Sequence, residues 1–570
     1  MSTFSVDDGF AYQLPQSSDV VVGSRVRIRV SGRRTRGFVT AIFDADGSRK
    51  LLPIDGMSGR IPSFDDVTLE SLRWAATHYV APLSVLLKRT LPPNIPKLPQ
   101  IETAPWKGKK PARLSGDPPR YRVGAPPFGP AVAETIGESV AKLRNIVVIA
   151  PSVLEVDVIA SQLEREYPDR VVVATSSMAP KAVTASWARV ATGVGTILVG
   201  TREVMFWPFG DVGLVVVVED GRRVMRSQRA PTVSVREVVL RRSKSEGFDV
   251  VFFGPVPTLE TIAHRVNVEY PSGRQWPIVE VADRGEDPPG GGVLSERAKA
   301  ALRRSTAIGD RTFVLVGSRA YAPAFRCVGC GDLRRCAACG SAASRQNDCR
   351  RCGELFGSCP HCGGRRFQPL GAGIGRLLED IRRVIGDQVG QAGDDKAVTV
   401  GSERDLIGVS GMGLALAVDV DGLTMAPHYR AAEDALRLLV RLAHTVRRGG
   451  GHRCLIQTAL PNQDVVRTLV DGRSGPFLRA ELGARKRFGF PPIGELIAIE
   501  TEGGDAEEEL LLKEIRPLAT LMGPAQERNR TRWLLQGRNL DDARVALRPV
   551  INTLRARGAR VRVDVDPIDL

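Results

Sequence analysis

Eight of the nine cysteines lie within 36 residues and form four Cys-x-x-Cys turns, which we call knuckles. One knuckle directs two thiolates toward one ion, and two knuckles supply the four thiolates of a closed tetrahedral zinc site. Glycines beside the knuckles permit their tight backbone turns. Four knuckles therefore predict two structural zinc ions. The knuckles are Cys327 with Cys330, Cys336 with Cys339, Cys349 with Cys352, and Cys359 with Cys362.

Two questions about these cysteines stay open in the sequence. The spacing allows nested pairing, in which the first knuckle joins the fourth and the second joins the third, and it equally allows consecutive pairing. Disulfides or free thiols are the alternatives to zinc. Disulfides are rare in the cytoplasm, and the cytoplasm is the expected compartment. The acidic start MSTFSVDDGF lacks the apolar core of a secretion signal, and no apolar run approaches the ~18–20 residues of a membrane helix.

Two further chemical groups are expected to be structural. His361 lies inside the last knuckle, where we expect a turn residue rather than a zinc ligand. Cys454 lies in an apolar run, which favours a place in the core over a reactive site.

Positive charge is the second chemical signal. The 570 residues contain 80 Lys+Arg and 64 Asp+Glu, which gives a net charge of +16. Residues 1–125 hold 19 of the basic and 11 of the acidic residues, so half of the surplus lies in less than a quarter of the chain. Clustered positive charge favours a polyanionic partner, nucleic acid first. An arginine-rich composition inherited from a GC-rich genome is the alternative explanation.

Residues 25–43 predict a β-hairpin with one cationic face. Val26, Ile28 and Val30 alternate with arginines, so one face is apolar and the other is charged. We predict that these arginines contact DNA phosphates; the alternative is a solvated strand face. The predicted DNA-binding residues are Arg25, Arg27, Arg29, Arg33, Arg34 and Arg36.

Two α/β units are predicted on either side of the cysteines. Short runs rich in Val and Ile, without alternation, are typical of parallel strands covered on both faces. The predicted strands are 146–150, 171–174, 196–199, 214–218 and 250–253 in the first unit, and 313–316, 397–400, 414–418 and 454–457 in the second. A helical segment covers 67–91, a linker rich in Pro and Lys follows it, and a mixed α+β region begins near 466.

Several segments resemble, in chain order, the PriA family of primosomal replication restart DNA helicases. The four knuckles between two α/β units are the most specific likeness. The other segments are 74–79 and 91–92 near the N-terminus, 200–202 and 208–209 in the first unit, 320–325 before the knuckles, 418–422 and 429–433 in the second unit, and 564–567 at the end.

The resemblance implies a multidomain α/β protein with two RecA-like helicase lobes. It implies a mostly-β N-terminal domain that binds DNA 3′ ends, a Cys-rich zinc insert and an α+β C-terminal domain. The implied bounds are 1–100 for the N-terminal domain, 101–120 for a basic Pro-rich linker, 121–300 for lobe 1, 327–366 for the insert, 301–326 with 367–465 for lobe 2, and 466–570 for the C-terminal domain.

The resemblance also implies a function. The protein is expected to bind stalled-fork DNA, to nucleate primosome assembly and to load the replicative helicase. The implied partners are forked or single-strand-containing DNA, other primosome proteins, the helicase loader and single-stranded DNA-binding protein. No membrane partner is expected.

The ATP motifs of such a helicase depart from their usual pattern. The phosphate loop would fall at Gly124-Ala125-Pro126-Pro127-Phe128-Gly129-Pro130-Ala131, where proline removes amide donors and no lysine follows. The acidic motif reads Glu219-Asp220-Gly221-Arg222, and the following loop has no aromatic residue. Gly254-Pro255-Val256 replaces a Ser-Ala-Thr-like coupling motif, and Arg447 and Arg448 are what remains of the paired arginine fingers.

From these departures we predict a pseudo-helicase, that is, no enzyme. We expect no catalytic residues, no ATP or Mg²⁺, and only a degenerate nucleotide loop at Gly124 and Gly129. One alternative is an active ATP-dependent 3′-to-5′ helicase with divergent motifs. Another is a zinc scaffold that does not bind DNA.

Other basic residues are less specific. Lys107, Lys109, Lys110 and Arg113 in the linker provide either attraction to DNA or solubility. The run from Arg485 to Arg487, beside Phe488-Gly489-Phe490, is expected to be solvated surface.

Overall fold

The structure is a computed structural model. It describes residues 4, 7, 9–15, 18–44, 51–94, 118–288, 292–317, 324–330, 332, 334–338, 347–349, 354–370, 374–426, 428–502, 509, 512–527 and 530–568. The predicted linker, through residue 117, and the segment 320–323 lie outside these residues, as do Cys339 and Cys352.

A three-stranded antiparallel sheet and two helices form the N-terminal region. Its elements are β1 (Arg25–Val30), β2 (Arg33–Phe38), β3 (Gly56–Met57), α1 (Asp66–His78) and α2 (Leu83–Arg89). The sheet order is β2-β1-β3. Ser31 and Gly32 join β1 to β2 with φ of 48° and 76°, and a two-residue turn with positive φ suits the twist of a hairpin. The predicted hairpin is therefore present.

The first lobe is a seven-stranded parallel sheet. Its elements are β4 (Arg120–Val123), α3 (Gly129–Ala141), β5 (Asn145–Ile149), α4 (Val153–Glu166), β6 (Val171–Ala174), α5 (Pro180–Thr192), β7 (Ile197–Gly200), β8 (Val212–Val218), α6 (Val235–Glu246), β9 (Asp249–Gly254), α7 (Leu259–Ala263) and β10 (Asn267–Glu269). The order is β10-β4-β9-β8-β5-β7-β6. Val147 faces one core and Val148 the other, so both faces of the central strands are covered, as their apolar sequences predict.

The second lobe is a six-stranded parallel sheet with a small antiparallel pair inserted. Its elements are β11 (Val279–Asp283), α8 (Glu296–Ala307), β12 (Thr312–Leu315), β13 (Ala324–Cys327), β14 (Phe367–Leu370), α9 (Ile374–Ile385), β15 (Val389–Gln391), β16 (Val398–Gly401), β17 (Leu414–Ala417), α10 (Val420–Thr424), α11 (Ala431–His444), β18 (Arg453–Thr458), α12 (Asp464–Asp471) and α13 (Gly475–Phe488). The main sheet has the order β11-β18-β17-β12-β16-β15, and β13 pairs with β14.

The second sheet begins earlier than the implied bounds of the lobes. β11 lies within 121–300, yet it pairs in parallel with β18 of the second sheet, Val279 opposite Cys454. As an edge strand, β11 is only partly buried and lacks a continuous apolar run. For this reason the apolar pattern did not reveal it.

The C-terminal region is an antiparallel sheet with one long helix. Its elements are β19 (Glu495–Glu502), β20 (Thr520–Glu527), β21 (Arg530–Gly537), α14 (Asp541–Ala556) and β22 (Arg560–Val565), in the sheet order β20-β21-β19-β22. The fully buried Arg544 of α14 donates to the carbonyl of His78 at 3.0 Å. One apolar cluster joins the N-terminal helices, the first lobe and this sheet. The predicted multidomain α/β class is thereby confirmed. Among the described residues, no helix has the length and apolar character that crossing a bilayer requires.

Candidate functional sites

The first and fourth knuckles converge into one group of four sulfur atoms. The ligating atoms of Cys327, Cys330, Cys359 and Cys362 all lie within 4.8 Å of one another. The Sγ atoms of Cys327 and Cys362 are 3.5 Å apart, and those of Cys330 and Cys359 are 3.6 Å apart. Four thiolates at ~2.3 Å from a tetrahedral zinc stand about 3.8 Å from each other. The donor set therefore fits a structural zinc ion, and the pairing of these two knuckles is the nested one.

Local backbone contacts shape this cysteine group. Cys327 ends β13, and its N–H donates to the carbonyl of Asp332 at 2.8 Å. Backbone amides of Cys330 and Gly329 lower the pKa of Cys327 to about 7. The pKa of Cys330 is raised to about 12, and that of Cys362 is also raised. The turn therefore favours the zinc-binding thiolate form at Cys327 and not across the whole group. His361 is exposed and is not part of the group.

The second and third knuckles are described in part. Cys336 and Cys349 are both buried, whereas their partners Cys339 and Cys352 are outside the described residues. The second zinc site stays a prediction.

The N-terminal hairpin places four of the six predicted arginines in two cross-strand pairs. Arg27 lies opposite Arg36, and Arg29 lies opposite Arg34. All four are exposed, and like charges in such positions repel each other. One carboxylate, Asp55, lies nearby, 3.5 Å from Arg29 and 3.9 Å from Arg34. The charge of this face is therefore only partly compensated.

The other two arginines differ from the prediction. Arg33 pairs with Val30, so it stands on the opposite face of the hairpin near the turn. Arg25 is only 5% exposed. Its Nε and Nη2 are buried without a hydrogen-bond partner, and among the described residues no carboxylate pairs with it. Burial, with Arg36 nearby, lowers its pKa. A buried guanidinium without an anion is costly, and a phosphate is the kind of group that would satisfy it.

The degenerate ATP motifs come together at one edge of the first sheet. The loop Gly124–Ala131 joins β4 to α3, the acidic pair follows β8, and Gly254 ends β9. β4, β9 and β8 are neighbours in the parallel sheet, so their carboxyl ends meet. Helix α3 begins with Gly129 and Pro130 and has no side-chain N-cap.

Three hydrogen-bond donors that the sequence interpretation missed surround Asp220, the second carboxylate of the acidic motif. Asp220 is buried, and its Oδ2 accepts from Arg236 at 2.8 Å, from Thr258 at 3.1 Å and from Thr261 at 3.0 Å. The hydroxyl groups thus come from the start of α7, a few residues beyond Gly254-Pro255-Val256. Gly254-Pro255-Val256 itself carries no hydroxyl, and the hydroxyls that reach Asp220 belong to two threonines after that segment.

Arginines of both lobes surround Glu219, the first carboxylate of the acidic motif, and its neighbour Glu155. In the first lobe, Arg222 Nη1 donates to both carboxylate oxygens of Glu155, at 2.6 and 2.8 Å. From the second lobe, Arg441 Nε lies 3.0 Å from Glu219 Oε1. The pKa of Glu155 is raised by burial, against the attraction of Arg222. We call this cluster, together with Glu403, the seam; Glu403 lies 3.6 Å from Arg222 and 3.4 Å from Arg441.

Two further contacts between the lobes also involve charged groups. Arg430 pairs with Glu260, and the N–H of Leu259 donates to Glu433 at 3.3 Å. By contrast, the predicted fingers Arg447 and Arg448 are exposed, and Arg447 pairs with Asp310 of its own lobe. Arg441, on α11, reaches Glu219 of the first lobe instead.

Comparison with known proteins gives the same family as the sequence resemblance. Residues 2–92 match the family model described as 3'DNA-binding domain (3'BD) of PriA. A probable replication restart protein PriA of Mycobacterium leprae is 27% identical over 69% of this chain and 65% of its own length. The Mycobacterium tuberculosis H37Rv protein of that name is 26% identical over 92% of this chain and 90% of its own length. Replication restart protein PriA of Thermotoga maritima is 24% identical over 77% and 66%.

Solved structures show more distant likeness. RecG bound to a three-way DNA junction matches with a TM-score of 0.37 and 11% identity, over 74% of this chain and 56% of that one. Saccharomyces cerevisiae Dbp5 bound to RNA and ADP BeF3 matches with a TM-score of 0.33 and 9% identity, over 65% and 90%. At these scores no conclusion about function follows.

The prediction that the chain is not an enzyme is wrong. The relatives that match it, over as much as 92% of its length, carry the name PriA, and PriA is a family of helicases. Over as much as 92% of its length the chain is similar to replication restart proteins named PriA, and its residues 2–92 match the 3′ DNA-binding domain of PriA.

Proposed function

We propose that this protein binds stalled-fork DNA through its N-terminal hairpin, and that it nucleates primosome assembly and loading of the replicative helicase. The name of its relatives and the family match over residues 2–92 support this function. The proposed partners are forked DNA, other primosome proteins, the helicase loader and single-stranded DNA-binding protein, in the cytoplasm.

The observation that carries the DNA-binding part is the uncompensated charge of the hairpin. Arg27 and Arg36 face each other across the strands without a described carboxylate partner. Arg25 is buried with two unsatisfied nitrogens. Holding like charges together is unfavourable unless an anion joins them, and a DNA backbone supplies one phosphate after another.

The test is fluorescence anisotropy with fork DNA over a range of salt concentrations. The double variant Arg27→Gln with Arg36→Gln should bind more weakly and lower the salt slope by about 0.9 for each phosphate contact removed. Arg303→Gln, which removes an exposed arginine from α8, is the matched control and should leave the slope unchanged. Equal slopes for all three proteins would contradict the hairpin as the DNA-binding face.

The contacts of Asp220 favour a second function, ATP-dependent 3′-to-5′ unwinding. Its links to Thr258 and Thr261 connect the carboxylate after β8 to the segment after β9. A DNA-dependent ATPase assay with Mg²⁺ tests this function. Turnover of about 1 s⁻¹ or more, reduced in Thr258→Val, would support it, and the absence of DNA-stimulated hydrolysis would exclude it.

We also propose two structural zinc ions. Cys327, Cys330, Cys359 and Cys362 would hold one, and their 4.8 Å grouping supports this assignment. Cys336, Cys339, Cys349 and Cys352 would hold the other.

A further inference from the structure

An aromatic ladder stands at the junction of α11, α13 and the C-terminal sheet. The rings of Tyr429 and Phe490 stack with centroids 5.1 Å apart and planes 11° from parallel. Phe488 lies beside Phe490, with centroids 6.4 Å apart and planes tilted by 43°. At the inner end, the guanidinium of Arg485 lies 4.8 Å from the centre of the Tyr429 ring.

The inner end of this ladder is fixed by buried charge. Arg485 is almost completely buried, and its Nη2 donates to the fully buried Glu433 at 3.2 Å. Its Nη1 donates to the carbonyl of Pro491 at 2.9 Å. The expectation that Arg485 is solvated is therefore wrong, because the cation is the anchor for the loop that carries Phe490.

At the outer end, hydrogen bonds hold the backbone, whereas the Phe488 ring lies in solvent. Phe488 is the last residue of α13, and Gly489 ends the helix with φ +66°. The amide of Gln536, on β21, donates to the carbonyl oxygens of Phe488 and Gly489 at 2.9 and 3.1 Å. The Phe488 side chain is nevertheless 61% exposed. A single exposed Phe needs no explanation, but this ring lies beside an ordered aromatic pair, on a backbone held by Gln536.

The groups beside Phe488 indicate what this face would bind. Lys486 and Arg487 are exposed, and they offset the negative end of the α13 dipole that would otherwise repel an anion. A flat apolar surface next to free cations is the combination that single-stranded nucleic acid requires, since bases stack and phosphates pair. Duplex DNA keeps its bases stacked inside and offers no such face.

We propose that Phe488 is a stacking site for one base of single-stranded DNA, with Lys486 and Arg487 on the adjacent phosphates. This inference adds a second contact point to the proposed DNA-binding function and rests on that function. Because Gln536 already holds the backbone that carries Phe488, little backbone entropy is lost when a base stacks on the ring.

The test measures binding of an oligothymidine that carries a 3′ phosphate, so that recognition of a free 3′ hydroxyl does not contribute. Phe488→Ala should weaken binding by about 5- to 150-fold, the range of one base–aromatic stack. Phe488→Trp should keep the affinity. Binding should quench its tryptophan fluorescence more than it quenches that of the wild type, which contains only the six native tryptophans. Lys486→Gln and Arg487→Gln should each lower the salt slope by about 0.7. Ile308→Ala removes an exposed apolar side chain on the second lobe and should change nothing.

The outcomes separate this site from the hairpin. Phe488→Ala with wild-type affinity, or with equal losses on single strands and on a duplex, would overturn the stacking site. If the stacking site fails in this way and the hairpin double variant still loses fork binding, the proposed function stands without the stacking site. If Phe488→Ala weakens single-strand binding while the hairpin variant binds forks normally, the stacking site stands and the hairpin assignment fails.

Discussion

Buried arginines in this protein differ in whether the fold satisfies them. Arg242 donates to the carbonyl of Met205 at 2.6 Å and to Glu246, and its guanidinium lies 3.8 Å from the ring centre of Phe209. Arg25 has no such set of partners. Folding satisfies a structural arginine, whereas an arginine that awaits a ligand leaves a cost in the free protein.

This difference predicts opposite effects on stability and binding when Arg25→Met removes the charge and keeps most of the volume. Because the variant removes a buried, unpaired cation, its unfolding midpoint should equal or exceed that of the wild type. Its affinity for fork DNA should fall, because a charge-assisted hydrogen bond is lost. Arg242→Met is the matched control and should unfold earlier. Thermal denaturation and anisotropy measure the two effects, and an Arg25→Met protein that unfolds earlier would show that Arg25 is structural.

A second residue-scale prediction concerns Thr258. Its hydroxyl contacts Asp220 and also accepts from the N–H of Thr261 as the N-cap of α7. Thr258→Val should destabilise the first lobe by about 1–3 kcal/mol, because it removes a cap and leaves a buried carboxylate short of one donor. Thr258→Ser keeps the hydroxyl and should stay near the wild type. Chemical denaturation compares them, and equal midpoints for both variants would argue against the contact.

At the scale of elements, strands were predictable where the sequence is continuously apolar. All nine strands predicted in the two lobes are present, because a strand covered on both faces must be apolar along its length. β10, β11 and β15 were missed because they are short or polar strands at sheet edges, and β4, the next strand inward from β10, was missed because its arginines interrupt the apolar run. Arg441 and Thr258 were missed for another reason: their partners are distant in sequence, and only the packing of the two lobes brings them together.

The knuckles were predictable because their ligands are local, and their pairing was not. Nested pairing depends on β13 lying antiparallel to β14, Cys327 opposite Phe367, which no spacing rule contains.

We predict that the wild type holds two zinc equivalents and that Cys359→Ser holds one, since the two sites share no knuckle. Cys454→Ala, which changes a cysteine buried in β18, should keep both. Elemental analysis of the purified proteins measures zinc, and loss of both equivalents in Cys359→Ser would contradict independent sites.

At the scale of the whole molecule, the seam joins the lobes by charge, beside apolar contacts in which Val256 and Leu259 of the first lobe pack into the core of the second. Arg441 reaches Glu219 of the first lobe at 3.0 Å and Glu155 at 3.9 Å, and Arg222 reaches Glu403 of the second lobe at 3.6 Å. Most of these groups are buried, so removal of one partner leaves an uncompensated charge, which costs ~3–5 kcal/mol. When the seam opens, those charges return to water. After one partner is removed, opening the seam therefore costs less free energy than keeping an unpaired charge buried.

Arg441→Met should therefore loosen the lobes without unfolding either. Backbone amides of 219–222, 259–262 and 430–441 should exchange hydrogen faster, whereas the central strands β5 and β8 should keep their protection. Arg447→Met removes an arginine whose partner, Asp310, belongs to the same lobe, and it should leave these amides unchanged. Exchange measured by mass spectrometry distinguishes the cases. Faster exchange throughout the first sheet would mean that Arg441 supports the lobe itself, and wild-type exchange at the seam would mean that apolar contacts hold the lobes together.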